Sequence, residues 1–299
     1  YDDTLGIGGS FLKQIISPGG QTIAINREFD EIFGGYARYL VGYLEQALKG
    51  AILETQDEGK HLVTLESIVP NLALLKQYTP LMSNFWSKGL FGEMDSRYFH
   101  LIDRSQGLEN LLHPEMLVQF DREQLFADFQ DIFNHPKTKS YINKMTHFDQ
   151  KTLLPALLQI EDRVSMTFSI ESRVPLLDRR IVDLASCMPP SLKFQGGKTK
   201  HILKKAATNL LPSEILERKD KMGFPTPINS WFKNELNDWI FDIFNSHKAQ
   251  KRDFINSKIL LKKIRKESSF GRNIWGMLSL ELWHQEFHDK ATGYKKLIL

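Results

Sequence analysis

Glu28, Asp30 and Glu31 place three carboxylates within four positions. Magnesium takes oxygen ligands and is commonly held by one or two carboxylates together with substrate phosphates, so this group could hold a magnesium-nucleotide. The pattern alone favours the blander reading, an acidic cap at the amino end of the helix that follows. Gly34-Gly35, just beyond it, permits tight helix packing or close backbone approach to a ligand.

A second group runs from Glu161-Asp162-Arg163-Val164-Ser165-Met166 to Glu171-Ser172-Arg173-Val174-Pro175-Leu176-Leu177-Asp178. Helical spacing brings Asp162 near Met166 and Ser165 near Ser169, and Pro175 stops the helix by Val174. The helix thus delivers charge to a turn, where Glu171, Arg173 and Asp178 are expected to form an internal ion-pair network with a structural role for Arg173.

In a third group, Gly196-Gly197-Lys198-Thr199-Lys200 opens a helix through Ala206. Lysines at a helix amino terminus oppose the helix dipole, a cost that a bound anion would relieve; the bland alternative is a solvated basic turn. The glycine-lysine spacing of a P-loop is missing. In a fourth, Lys219-Asp220-Lys221-Met222-Gly223-Phe224-Pro225-Thr226-Pro227 reads as a basic pair followed by a turn made rigid by two prolines. The nine histidines are scattered without paired-ligand spacing, so no zinc site is expected.

The elements that must position these groups are few strands and many helices. After the glycine-rich opening Gly6-Ile7-Gly8-Gly9-Ser10, residues 21–25 (Gln-Thr-Ile-Ala-Ile) read as a short buried strand whose carboxyl end leads into the acidic group. In open α/β sheets ligands bind at such strand ends. Apolar residues at helical spacing predict helices in 37–55, 72–91, 123–133, 151–170, 199–211, 228–245 and 272–288, and residues 92–113 read as a loop or surface segment. The whole is an α/β chain, mostly helical, with one or two parallel strands at its front.

At 299 residues, with 41% hydrophobic and 25% charged residues, the chain can bury a substantial core. Its 39 Lys+Arg against 36 Asp+Glu leave a net charge of only +3, so no nucleic-acid or membrane partner is expected and any anion site must be local. No span of about 20 apolar residues and no signal-like start is present, which fits a cytoplasmic protein. The single cysteine, Cys187, lies among Val182, Leu184, Ala185 and Met188 and is expected to be buried in the core.

Taken together, these groups resemble in identity and order the synthetase domain of glutamine-hydrolysing asparagine synthetases. The family's Gly-Glu-Gly-(Ala/Gly)-Asp-Glu-Leu-Phe-Gly-Gly-Tyr is similar to Asn26 through Tyr36, and its Asp-Arg-x-Ser-Met and Glu-x-Arg-x-Pro-Phe-Leu-Asp segments to residues within Leu154–Asp178. Gly196–Lys205 resembles its Gly-Lys-x-x-Leu-Arg segment, Lys219–Pro227 its Lys-x-Gly-Phe-x-x-Pro turn, and Ile274–Phe287 its closing tryptophan-containing helix. The similarity is weakest in 60–140.

The resemblance implies a pyrophosphatase-type, Rossmann-like fold of the adenine nucleotide alpha hydrolase kind, truncated at its front. One asparagine synthetase-like domain would cover 1–299: nucleotide-binding remnant in 1–55, helical and loop region in 56–145, and helices completing the active site in 146–299. It implies ATP and Mg²⁺, with aspartate and glutamine-derived ammonia as substrates. A glutaminase domain and a pyrophosphate loop would be expected in a longer chain, and a homodimer is possible. Aspartate would be activated as an acyl adenylate and attacked by ammonia.

On this resemblance Asp30 is the metal ligand, Lys200 the catalytic lysine and Glu31 a supporting residue, while Asp162 and Arg163 line the adenylate pocket. An ungapped alignment places Arg27 on the family's first glutamate, and a one-residue deletion places Glu28 there as a catalytic residue instead. The alternatives are a non-catalytic, partner-binding relative and an amidotransferase acting on a different carboxylate.

Overall fold

A computed structural model describes residues 22–24, 29–53, 79–105, 107–195, 198–217, 227–264 and 273–298. In chain order the elements are β1 (Thr22–Ala24), α1 (Phe29–Phe33), α2 (Ala37–Leu53), α3 (Thr79–Trp86), α4 (Met94–Ile102), α5 (Pro114–Gln119), α6 (Arg122–Phe133), α7 (Tyr141–Lys151), α8 (Leu153–Thr167) and β2 (Glu171–Arg173). They continue with α9 (Arg179–Cys187), α10 (Pro190–Lys193), α11 (His201–Ala206), α12 (Ser213–Leu216), α13 (Ile228–Lys233), α14 (Asn237–Asn245), α15 (His247–Gln250), α16 (Ser257–Lys263), α17 (Asn273–His284) and α18 (Ala291–Ile298).

β1 lies where a strand was expected, and it pairs in parallel with β2 in the register Thr22↔Glu171, Ile23↔Ser172, Ala24↔Arg173. A parallel pair needs a long crossover, here the helices between the two strands. β2 falls in a segment read from the sequence as a turn, because three residues with two charges carry no strand pattern.

The chain divides into two compact units: residues 1–102 with 126–225, and residues 103–125 with 226–299. The first is built on an aromatic cluster in which Tyr98 and Phe133 lie 5.4 Å apart, Phe129 and Phe133 5.0 Å, and Phe129 and Phe148 4.7 Å. α2 brings Tyr39, Leu40, Tyr43 and Leu44 to this cluster. Gly42 lets α7 approach closely: a Cβ there would stand 3.2 Å from the Tyr141 hydroxyl and 3.3 Å from the Met145 sulfur. The second unit packs Phe232, Ile240, Phe244, Leu260, Ile274 and Leu278. Arg252 ties it together, binding the buried Glu281 at 3.0 Å and Asp289 at 2.8 Å.

Two expectations need correction. Residues 92–113 are not merely a loop, because α4 buries Arg97, Tyr98 and Leu101. The charge that marked this stretch as surface is turned inward: Arg97 donates through Nε and Nη2 to the two oxygens of Glu45, each at 2.6 Å, and through Nη2 to the Phe85 carbonyl at 2.6 Å. Cys187 is exposed rather than buried. α9 packs through Ala185 with Ile181, Val182 and Met188 beside it, a stripe at helical spacing that leaves positions 184 and 187 facing out.

Among the described residues, no helix is long and apolar enough to cross a membrane.

Candidate active site

α1 is a single short helix whose first turn carries Asp30 and Glu31. It ends at Gly34, whose φ of +70° belongs to the left-handed region that glycine enters without a Cβ penalty. Gly35 follows, its N–H donating back to the Asp30 carbonyl at 2.8 Å. A Cβ on Gly35 would collide with both the Asp30 carboxylate and the Lys200 side chain. Close approach at this glycine is what lets a lysine from a distant part of the chain reach the aspartate.

Lys200 Nζ forms an ion pair with Asp30 Oδ1. Both residues are buried, at 2% and 8% exposure, so the pairing takes place where water screens it little. Lys200 stands at the N-cap of α11 with a left-handed φ of 55°. A non-glycine residue in that region carries backbone strain, and such strain clusters at ligand-binding and catalytic positions.

Glu31 is fully buried. One of its oxygens accepts from the Tyr36 hydroxyl, and Gln150 Nε2 donates to its backbone carbonyl at 3.1 Å. Its other oxygen, Oε2, is buried without a hydrogen-bond partner among the described residues. Burial pushes the Glu31 carboxyl up to about 7; the Tyr36 hydroxyl opposes the rise, and the Asp30 and Asp149 carboxylates add to it. The side chain is therefore poised between acid and anion at neutral pH.

A polar frame supports this corner. Arg38 lies over the Tyr36 ring at 3.9 Å and donates to Asp149 Oδ2 at 2.5 Å. Asp149 also accepts from Tyr98 at 2.9 Å and from Tyr39. Through Asp149 and Gln150, α7 holds both α1 and the start of α2.

Thus Asp30, Glu31 and Lys200 are brought together. Asp162 and Arg163 lie exposed near the carboxyl end of α8. The expected network of Glu171, Arg173 and Asp178 resolves into two separate exposed pairs: Arg173–Glu171 at 3.1 Å, and Asp178, which caps α9, with Arg180 at 2.9 Å. Charges spaced this closely find partners two residues away, and the contacts among the described residues do not join these three into one network. Glu28, Arg27, Gly196, Gly197 and the turn at 219–226 lie outside the described residues.

Tyr36, Arg38, Asp149 and Gln150 were not singled out from the sequence. α7 did carry a helix signal, with Ser140 as a side-chain N-cap and Tyr141, Ile142, Met145 and Phe148 at helical spacing.

No group of three or more metal-ligating side chains occurs among the described residues. A pair of carboxylates is nevertheless enough for a magnesium ion that takes its other ligands from phosphate oxygens and water. The donor set fits such an ion: Asp30 is a carboxylate, and the adjoining Glu31 has a buried oxygen that no donor among the described residues faces.

A family model for asparagine synthase matches residues 30–285. The chain is 30% identical over 277 residues to asparagine synthetase [glutamine-hydrolyzing] 1 of Bacillus subtilis, covering 88% of this chain and 40% of that protein. It is 33% identical over 155 residues to a putative asparagine synthetase [glutamine-hydrolyzing] of Mycobacterium tuberculosis (strain ATCC 25618 / H37Rv), covering 50% of this chain and 24% of the relative. A further similarity, 25% identity over 248 residues, is to asparagine synthetase [glutamine-hydrolyzing] 3 of Bacillus subtilis, covering 82% of this chain and 33% of that protein. The chain thus spans well under half the length of these relatives. No solved structure matches. With the family model covering most of its length and the buried Asp30–Lys200 pair inside the matched region, the chain belongs to the asparagine synthase family.

Proposed function

We propose that the chain is the synthetase portion of an ATP-dependent amide-forming ligase that activates the side-chain carboxylate of aspartate for attack by glutamine-derived ammonia. The observation that carries this reading is the buried Lys200–Asp30 ion pair, with Lys200 held in left-handed backbone at the head of α11. Joining two anions, a carboxylate and a nucleoside triphosphate, requires positive charge fixed in place before the substrates arrive.

Lys200 supplies one such charge. Its ammonium sits in a site of low exposure, where it would bind phosphate oxygens as negative charge develops on them. Asp30 would hold Mg²⁺, with Glu31 behind it; when bound, the ion neutralises phosphate charge and orients the leaving pyrophosphate. Tyr36 stays protonated, because burial and the neighbouring Glu31 carboxyl raise its hydroxyl far above the ordinary tyrosine range, and so it keeps donating to Glu31. Glu28, Asp162 and Arg163 complete the reading as a catalytic residue and two pocket residues. The same reading places the protein in the cytoplasm beside a glutaminase domain, with a homodimer as its assembly.

The test is titration of the chain with Mg-ATP by calorimetry. Saturable binding that weakens at least tenfold in Lys200→Met and Asp30→Asn, both still folded, supports the reading. Absence of binding at millimolar nucleotide, or binding indifferent to both substitutions, overturns it.

Arg27, on the family's glutamate position, favours a second reading in which the activated carboxylate is not that of aspartate. In the full gene product, pyrophosphate release screened across carboxylates separates the two, since only the first reading requires aspartate.

A further inference from the structure

Two neighbouring residues of α7 reach the acidic corner by different routes. Gln150 Nε2 donates to the Glu31 backbone carbonyl at 3.1 Å and so fixes the main chain there. Asp149 reaches the Glu31 side chain through two intermediaries, Arg38 and Tyr36.

The first step is a hub. Among the described residues, the buried Asp149 receives three donors on the one oxygen Oδ2: Arg38 Nη2 at 2.5 Å, the Tyr98 hydroxyl at 2.9 Å and the Tyr39 hydroxyl. Arg38 Nε also donates to the Tyr98 hydroxyl at 3.2 Å, so the guanidinium is held at two of its nitrogens. The second step is stacking. The Arg38 guanidinium carbon lies 3.9 Å from the centre of the Tyr36 ring, closer than the 5.3 Å that separates it from the Tyr39 ring. A cation at that height is drawn to the ring face and keeps the phenol in place. In the third step the Tyr36 hydroxyl donates to Glu31 Oε1.

The Glu31 carbonyl and Oε1 are thus both engaged, while Oε2 is buried with no hydrogen-bond partner among the described residues. A buried carboxylate oxygen left in this way costs free energy until something meets it. A frame that served packing alone would supply donors to both oxygens, as Arg97 does for Glu45.

We propose that Asp149 is a positioning residue: through Arg38 and Tyr36 it holds the Glu31 carboxylate so that Oε1 is occupied and Oε2 is left for a divalent cation brought in with the nucleotide. The proposal rests on the nucleotide-binding reading of this site given above and adds to it the residues that orient the second carboxylate. Asp149 and Arg38 act only through Tyr36. A hard cation is the matching ligand class, because it brings positive charge and takes carboxylate oxygens that no donor has claimed.

The test compares ATP binding with and without metal, with Mn²⁺ as the probe ion because its spin-resonance spectrum reports its own ligands. Calorimetry on the chain gives the ratio of affinities for Mn-ATP and for ATP in chelator. Tyr36→Phe keeps the ring beside Arg38 and removes only the hydroxyl; it should lower this ratio about tenfold and alter the spectrum of bound Mn²⁺, one charge-assisted hydrogen bond being lost. Asp149→Asn should lower the ratio by a similar factor. A merely structural role would weaken both forms of ATP together and leave the ratio as it was. Because the residues act in series, Asp149→Asn combined with Tyr36→Phe should fall no further than the larger single loss. Should Asp149→Asn not fold, Arg38→Lys takes its place, since an ammonium lacks the flat fork that meets Asp149 and the ring at once.

An unchanged ratio in Tyr36→Phe, or losses that add in the double variant, overturns the inference. Lys200→Met separates it from the ligase reading, because loss of that ammonium should weaken ATP both with and without metal. Indifference to Lys200 removes the ligase reading, whereas dependence on Lys200 with an unchanged ratio in Tyr36→Phe removes the positioning role alone. Absence of Mn-ATP binding at millimolar concentration overturns both.

Discussion

Two buried ion pairs of opposite character stand in the same unit. Arg97 and Glu45 meet through two parallel hydrogen bonds of 2.6 Å; the Phe85 and Lys88 carbonyls take up further guanidinium N–H groups, and the Phe85 ring lies 4.0 Å from the guanidinium carbon. This pair is saturated. At α1, just before α2, Lys200 meets Asp30 through a point-like ammonium from strained backbone, beside a Glu31 oxygen that no donor among the described residues faces. The first arrangement fixes a fold, whereas the second leaves capacity for a ligand. Arginine suits the first role because its planar fork satisfies a carboxylate completely, and lysine the second because its charge can be shared between partners.

The largest effect should come from breaking the saturated pair. Arg97→Met leaves Glu45 buried without its partner and is expected to cost about 3–5 kcal/mol, read by urea unfolding. A loss below about 1 kcal/mol would show that the pair is not structural.

Glu31 should set a pH dependence of similar size. Its carboxyl rises from 4.5 in the unfolded chain to about 7 when folded, so the native state holds a proton that the unfolded state releases. The stabilisation is complete below the unfolded value and is lost as pH rises toward 7, in total about 3 kcal/mol at one pK unit per 1.4 kcal/mol. Glu31→Gln, uncharged at every pH, should flatten that slope; an unchanged slope would remove Glu31 as its source.

Gly35→Ala should cost about 1–3 kcal/mol and separate Lys200 from Asp30, since the added methyl has no room between them. Unaltered stability together with unaltered nucleotide affinity would mean that close approach at this glycine is dispensable. The smallest effect belongs to the surface: Arg173→Ala should move stability by no more than about 0.5 kcal/mol, because its pair with Glu171 is more than half exposed. A larger loss would restore to Arg173 the structural role expected from the sequence.

The contrast between the two pairs also explains what could be read in advance. Asp30, Glu31 and Lys200 were legible because they sit in short motifs with glycines at fixed offsets, and those glycines have geometric work at Gly34 and Gly35. Glu45–Arg97 and Arg38–Asp149 were not, since nothing local tells a buried charge from a solvated one when its partner lies dozens of residues away. β1 announced itself by β-branched residues, while β2, three residues long with two of them charged, did not. Cys187 went wrong for a different reason. Its neighbours are apolar, but α9 buries only one stripe, and phase around the helix decides the matter rather than average composition.

α7 has one more consequence. Lys144, in its first two turns, donates to Asn134 just beyond α6 at 3.1 Å, and Gln150, at its far end, grips the Glu31 carbonyl. An eleven-residue helix is a rod of about 16 Å, stiff along its axis, and its middle is wedged against Gly42. Held at its middle and at its far end, the helix keeps the Glu31 carbonyl at a set distance from the turn that follows α6.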